Sequence, residues 1–350
     1  MRSEELDDGF RIEVESSASG VAGGNADCGI ANSALLLVTS VVPRKLRMTA
    51  NTAVLFGSIN PPSRQWKPLS PQVWTCVGAL AIPLWATWPA LALRTLEMPA
   101  FECLTIAFLF GWIVLGRVER TAGAAPSEQT SWRTWIPAAT CALGLTGANA
   151  FHILATHYIP AAEANLISYL WPVMIVAIGA MIGLFKLRPR QVIALILGFA
   201  GAMILMGVGA LSLSFVGIGL AFLSGLSWAL YCILRLKWTM PAGTVLTRGC
   251  AISALFCAVA HLAWEPTVVP SAGGIAAAAA VGIVPLAFGN LVWDEGFRRG
   301  DSQLLAVMAY ATPLCSALLL AMLGLESFTW SLFIGAIVIV VAGYLSRADT

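Results

Sequence analysis

EANLISYLWPVMIVAIGAMIGL, residues 163–184, returns in altered form 141 positions later as LLAVMAYATPLCSALLLAMLGL, residues 304–325. Laid ungapped at that offset and extended backwards, Asn149 meets Asn290, Tyr169 meets Tyr310, Pro172 meets Pro313, Met181 meets Met322, and Gly183-Leu184 meets Gly324-Leu325. Self-similarity over this length marks a duplicated structural unit. Each copy sets a proline midway along an apolar run, where it removes one backbone donor and crowds the preceding turn. The spacing predicts a helix kinked near its middle, twice, with Pro172 and Pro313 as hinges.

Composition fixes the solvent. With 58 % hydrophobic and 11 % charged residues, the chain fits no soluble globular class and reads as a polytopic membrane protein. A spanning helix needs about 20 mostly apolar residues to cross about 30 Å of hydrocarbon. Ten such runs follow residue 70, at 72–93, 98–116, 134–156, 162–185, 190–209, 214–235, 244–264, 273–294, 302–324 and 328–346. The expected fold is an all-α membrane protein of ten transmembrane helices. The repeat unit holds five spans, an odd number, so its copies cross in opposite directions and form two inverted repeats around a central cavity, a transporter architecture.

Basic residues in short loops stay cytoplasmic during insertion. From residue 49 onward, Arg64, Lys67, Arg117, Arg120, Arg133, Lys186, Arg188, Arg190, Arg235, Lys237, Arg248, Arg298, Arg299 and Arg347 fall on one side and only Arg94 on the other. Both termini are expected in the cytoplasm. The formal net charge of +2 resides in that rim, with no run suited to nucleic acid. The cysteines are scattered, without the short paired spacing of a metal or redox site, so no cofactor is expected. Residues 1–70 begin acidic and polar, and their short run Leu35–Val42 cannot span. They read as a disordered extension without a secretory leader, ahead of repeats at 71–210 and 211–350. Met48 is the expected natural start.

Most polar and aromatic side chains have a bland assignment. Trp66, Trp132, Trp135, Trp238, Trp264 and Trp330 stand at span ends as interfacial anchors. Glu102 opens the second span, where an acid complements the helix dipole. His261 reads as interfacial, and Asp294 and Glu295 beside Arg298 and Arg299 read as exposed ion pairs of little energetic weight. Gly198, Gly201, Gly335 and Gly343 allow close helix packing, consistent with a monomer or weak homodimer. The remainder are candidates for a site. Asn149 and His152, three apart on one helix face, either tie helices together or line a pathway. Trp85 and Trp88 align with Trp228 and Tyr231, so each copy opens with a Trp-Ala helix. Central indoles need partners for their N–H groups. Freed carbonyls at Ser168 and Ala309, ahead of the two prolines, must face protein or a wet cavity.

Three segments carry a family resemblance: Glu163 to Pro172 with its Tyr-Leu-Trp-Pro, Trp228-Ala-Leu-Tyr-Cys232, and Ala306 to Leu318. They resemble the drug/metabolite transporter superfamily, EamA type, and within it the ten-helix bacterial aromatic amino acid exporters, over about residues 72–346. The resemblance implies an inner-membrane carrier exporting amino acids, with the fourth and ninth helices bending to alternate access. Nothing in it extends to the first 70 residues.

The residues themselves point the same way. A wall of Trp85, Trp88, Trp171, Trp228, Tyr169, Tyr231 and Tyr310 offers ring contacts worth about 0.5 to 1.5 kcal/mol each beyond burial. A substrate ammonium is matched by the freed carbonyls and ring faces, and its carboxylate by His152, Asn149 or Asn290. No carboxylate is expected at mid-membrane depth, where a charge costs about 2.5 to 3.5 kcal/mol on insertion scales. Passive uniport of aromatic and other apolar amino acids follows, with proton exchange through His152 as the weaker option. The rival is export of aromatic cations, drugs or other metabolites, proton-coupled or not. An enzyme would need clustered nucleophiles, metal ligands or acids that the chain does not offer.

Overall fold

The computed structural model describes residues 69–121, 135–207, 214–327 and 329–346. The extension, with Met48, Trp66 and the 35–42 run, lies outside the described residues, as do Arg64, Lys67, Trp132, Arg133 and Arg347. Ten helical runs follow one another: α1 Pro71–Ala92, α2 Ala100–Thr121, α3 Trp135–Thr156, α4 Ala161–Met181, α5 Pro189–Met206, α6 Phe215–Arg235, α7 Ala242–Trp264, α8 Ala272–Arg299, α9 Ser302–Met322 and α10 Trp330–Ser346. The first nine are long and apolar enough to cross a membrane, and α10, at 17 residues, is slightly shorter. Leucine, isoleucine and valine side chains are widely exposed on the outer surface, as lipid rather than water as solvent requires.

The two kinks are full breaks. α4 stops at Ser168 and restarts at Trp171, and α9 stops at Met308 and restarts at Ala311. Pro172 and Pro313 stand in the first turn of each second half, where a missing N–H costs little. The expectation of a free carbonyl at Ala309 is corrected: it accepts the Thr312 N–H at 3.0 Å, a tighter i→i+3 turn. The Ser168 carbonyl lies against α6, close enough that a Cβ on Gly225 would stand 2.5 Å from it. Both copies also end alike. Gly183 and Gly324 take φ of 76° and 70°, the left-handed turn that glycine adopts without penalty.

Packing repeats the duplication. α3 lies on α6 as α8 lies on α1, α4 lies on α6 as α9 on α1, and α3 lies on α7 as α8 on α2, while α2 with α7 and α5 with α10 pair across the pseudo-axis. The symmetry then fails in a systematic way. At the end bearing Arg235, Arg298 and Arg299, α6 packs on α8, α7 packs on the last part of α8, and the first half of α9 packs on the second half of α4. Their repeat mates at the far end, α1 with α3, α2 with α3, and the first half of α4 with the second half of α9, make no comparable packing among the described residues. The second half of α9 leans on α5 instead. The bundle is therefore drawn together at its arginine-bearing end and not at the other.

α8 holds a feature the sequence reading passed over, a π-helical segment Gly282–Gly289 with Pro285 inside it. Its wider turn accommodates a proline that cannot donate to the α-helical ladder. The segment is bracketed by close approaches: a Cβ on Gly282 would stand 2.0 Å from the Ala107 carbonyl oxygen of α2, and one on Gly289 would stand 2.9 Å from the Trp85 ring. Two helix starts are capped from elsewhere in the chain. The Glu265 carboxylate accepts the Phe101 and Glu102 N–H groups at 3.0 and 3.3 Å, so the cap of α2 comes from Glu265 and not, as expected, from Glu102. Glu295 accepts the Ala242 N–H of α7 at 3.1 Å. Each helix that follows a Met-Pro pair, Met98-Pro99 before α2 and Met240-Pro241 before α7, is thus held by a distant glutamate.

Candidate functional site

Four indoles from four helices meet in the core: Trp85 of α1, Trp171 of α4, Trp228 of α6 and Trp293 of α8. Trp85 lies 6.3, 5.9 and 5.0 Å from Trp171, Trp228 and Trp293 between ring centroids, and Trp171 lies 6.5 and 5.5 Å from Trp228 and Trp293. Most of these contacts are edge-to-face, the arrangement favoured by the ring quadrupole. The broken α4 delivers Trp171 as the first residue of its second half. The π-helical turn of α8 delivers Asn290 immediately after it. Asn290 Oδ1 accepts the Trp85 indole N–H at 3.0 Å, which fixes one of the two rings, with Trp171, that touch all three others.

Towards the arginine-bearing end the cluster is sealed. Trp228 continues into Tyr231 at 5.4 Å and Trp293 stacks on Phe297 at 5.3 Å. Tyr231 then donates its hydroxyl proton to Asp294 Oδ2 at 2.6 Å. The same oxygen accepts Arg235 Nε at 2.8 Å, and Asp294 Oδ1 accepts Arg298 Nε at 3.2 Å. Glu295 accepts from Arg298 at 3.0 Å and from Arg299 at 2.8 Å. The remaining Arg235 donors reach the carbonyls of Trp238 and Met240. This corrects the reading of an exposed cluster, because Arg235, Asp294 and Glu295 are 1, 2 and 4 % accessible. His261, in the last turn of α7, is likewise buried, with Nδ1 3.0 Å from Glu265 and Nε2 3.3 Å from the Thr267 hydroxyl.

The candidate residues separate into groups. Trp85, Trp171 and Trp228 form the cluster, Asn290 anchors it, and Tyr231 links it to Asp294. Trp88, Tyr169 and Trp171 are partly buried against the main core, and Trp88 makes no ring contact with the cluster among the described residues. Asn149 donates to the Leu145 carbonyl of its own helix at 2.7 Å. His152 Nδ1 lies 3.4 Å from Ser168 Oγ at the break of α4. Tyr310 is fully buried, 6.4 Å from Phe199 and against Gly198 of α5, rather than among the tryptophans. Trp293 and Arg235 were not among the candidates. The repeat offset held the signal for Trp293, since it is the mate of His152.

The two copies each match one family description: residues 72–207 and 215–347 both fit the EamA-like transporter family. The chain belongs to this family. It is 32 % identical over 276 residues, 76 % of this chain and 94 % of the relative, to a protein of Ancylobacter novellus named aromatic amino acid exporter YddG. A protein of the same name from Salmonella typhimurium is 25 % identical over 200 residues, 53 % of this chain and 66 % of that protein. A solved crystal structure superposes with a TM-score of 0.74 at 30 % identity, covering 79 % of this chain and 98 % of the other. As an EamA-like protein the chain is a multi-pass membrane transporter with two five-helix repeats, and the four indoles meet where those repeats join.

Proposed function

We propose that this transporter exports aromatic and other apolar amino acids across a bacterial inner membrane by uniport, with both termini in the cytoplasm. The observation that carries the reading is the four-tryptophan cluster, built from α1 and α4 of one repeat and α6 and α8 of the other. The names of the relatives support it. With the arginines facing the cytoplasm, the closed end is the inner one and the cluster is its floor. In this outward-open state a substrate ring about to leave lies against Trp85 and Trp171, edge or face first. Asn149, His152 and Tyr169, all partly accessible, flank the far side for the amino acid head group. Loading from the cytoplasm requires the contacts of α6, α7 and α4 with α8 and α9 to part, and the breaks before Pro172 and Pro313 are where the half-helices bend. His152 faces only the Ser168 hydroxyl among the described residues, which fits a carrier without a proton relay.

Cells lacking their own aromatic exporters and expressing this chain are expected to survive several-fold higher concentrations of a toxic phenylalanine analogue than control cells. A tenfold loss of that protection is expected for Trp171→Ala at equal membrane abundance. Unchanged sensitivity with the intact protein would remove the amino acid assignment.

A further inference from the structure

The asymmetry between the repeats extends to one hydrogen bond. Trp85 and Trp228 occupy the same place in the two Trp-Ala helices, and Asn149 and Asn290 are mates at the 141-residue offset. A perfectly two-fold molecule would therefore hold two equivalent bonds, Trp85 to Asn290 between α1 and α8, and Trp228 to Asn149 between α6 and α3. Among the described residues only the first exists. Trp85 donates to Asn290 at 3.0 Å, while Asn149 turns its amide back to Leu145 and the Trp228 indole N–H meets no acceptor among the described residues. Both helix pairs nonetheless pack closely. α1 and α8 meet through Gly78 and Gly296, where a Cβ on Gly296 would stand 2.2 Å from the Gly78 Cα, and α3 and α6 meet through Gly147 and Ser227, where a Cβ on Gly147 would stand 2.6 Å from the Ser227 hydroxyl oxygen. Separation of the helices thus does not account for the missing bond. It is absent on the side whose end is not drawn together.

We propose that this bond is exchanged between the repeats as the transporter alternates. Trp85–Asn290 is made while the arginine-bearing end is closed, and Trp228–Asn149 is made when the far end closes. The inference rests on the transporter reading above and adds Asn149 and Asn290 as positioning residues. Each asparagine fixes one indole of the cluster in one state and releases it in the other. The physical cause is repeat symmetry: two inverted copies of one unit exchange conformations when access alternates, and an indole N–H in a water-poor interior strongly favours an acceptor. Asn149, bonded among the described residues only within its own helix, can take up that role.

The test is a distance. Spin labels at Leu96 and Tyr158, both exposed at the far ends of α1 and α3, report whether that end is apart or closed, in a background with reactive cysteines replaced. Asn290→Leu removes the acceptor used in the present state and is expected to shift the population about fivefold towards the short distance. Asn149→Leu removes the acceptor of the other state and is expected to shift it towards the long distance. Asn290→Asp, which keeps an acceptor oxygen, is expected to stay near the parent, and Trp85→Phe is expected to repeat the Asn290→Leu shift. Shifts in the same direction, or no shift in either leucine variant that elutes as a single folded species, would overturn the exchange. No substrate is needed, so opposite shifts uphold the exchange even if amino acid transport fails, and unchanged distances defeat it even if transport succeeds.

Discussion

Asp294→Ala is expected to destabilise the protein by about 3 to 5 kcal/mol, the cost of leaving a buried partner charge uncompensated. Asp294 accepts from Tyr231, Arg235 and Arg298, and the Arg235 guanidinium left behind is 1 % accessible. Two of its donors would still meet carbonyls, but the carboxylate bonded directly to its charge would be gone, with Arg298 left nearby as a second cation. Asp294→Asn retains an acceptor without the charge and should fall between the parent and the alanine variant. Arg235→Met combined with Asp294→Leu removes both charges and should be less damaging than Asp294→Ala alone. Thermal unfolding in detergent, followed by tryptophan emission, reads the order directly, and equal midpoints for parent and Asp294→Ala would contradict the account. The cluster has no counterpart at the other end, because the repeat mates of Tyr231, Arg235, Asp294 and Glu295 are Trp88, Ala92, Ile153 and Leu154. Its loss should therefore also favour opening of the arginine-bearing end.

The second large effect concerns Gly282→Val. A Cβ at Gly282 would lie 2.0 Å from the Ala107 oxygen and 2.8 Å from its carbonyl carbon. These are backbone atoms of α2, so no rotamer change relieves the clash, and α2 and α8 must separate or the π-helical segment must rewind. The cost should reach or exceed about 3 kcal/mol, the upper end for overpacking, and little folded protein is expected after solubilisation. Gly219→Ala provides the contrast. A Cβ there meets nothing within 4 Å, and in a helix interior the change should stabilise by roughly 0.5 to 1 kcal/mol. Comparable yields of monodisperse protein for Gly282→Val and Gly219→Ala would show that the contact with α2 is not tight.

Much of this was legible in the sequence because the bilayer constrains it so strongly. Run length placed the helices, with the ends of the second and eighth runs extended by charged turns that hydropathy excludes. The offset of 141 paired Pro172 with Pro313 and Gly183 with Gly324, and these pairs are breaks and left-handed turns in the fold. What escaped depends on contacts between distant segments. Asp294 and Glu295 read as exposed because i,i+4 arginines sit beside them, whereas Arg235 and Tyr231, 59 and 63 residues away, enclose them. Trp293 was screened by the same charged neighbours, although it is buried against Trp85, Trp171 and Phe297. Pro285 lies in an unbroken apolar run, and periodicity carries no mark of a π-helical turn. Tyr310 shows the converse error, since a residue that repeats Tyr169 in sequence packs on α5 instead of the cluster.

The most direct test is uptake of labelled tryptophan, phenylalanine, methionine and threonine into liposomes containing the purified protein, beside Trp171→Ala. Saturable uptake without an imposed proton gradient, strongest for the aromatic substrates and lost in the variant, is the predicted result. Uptake no greater than in empty liposomes, with or without a proton gradient and with folded protein in the membrane, would contradict it.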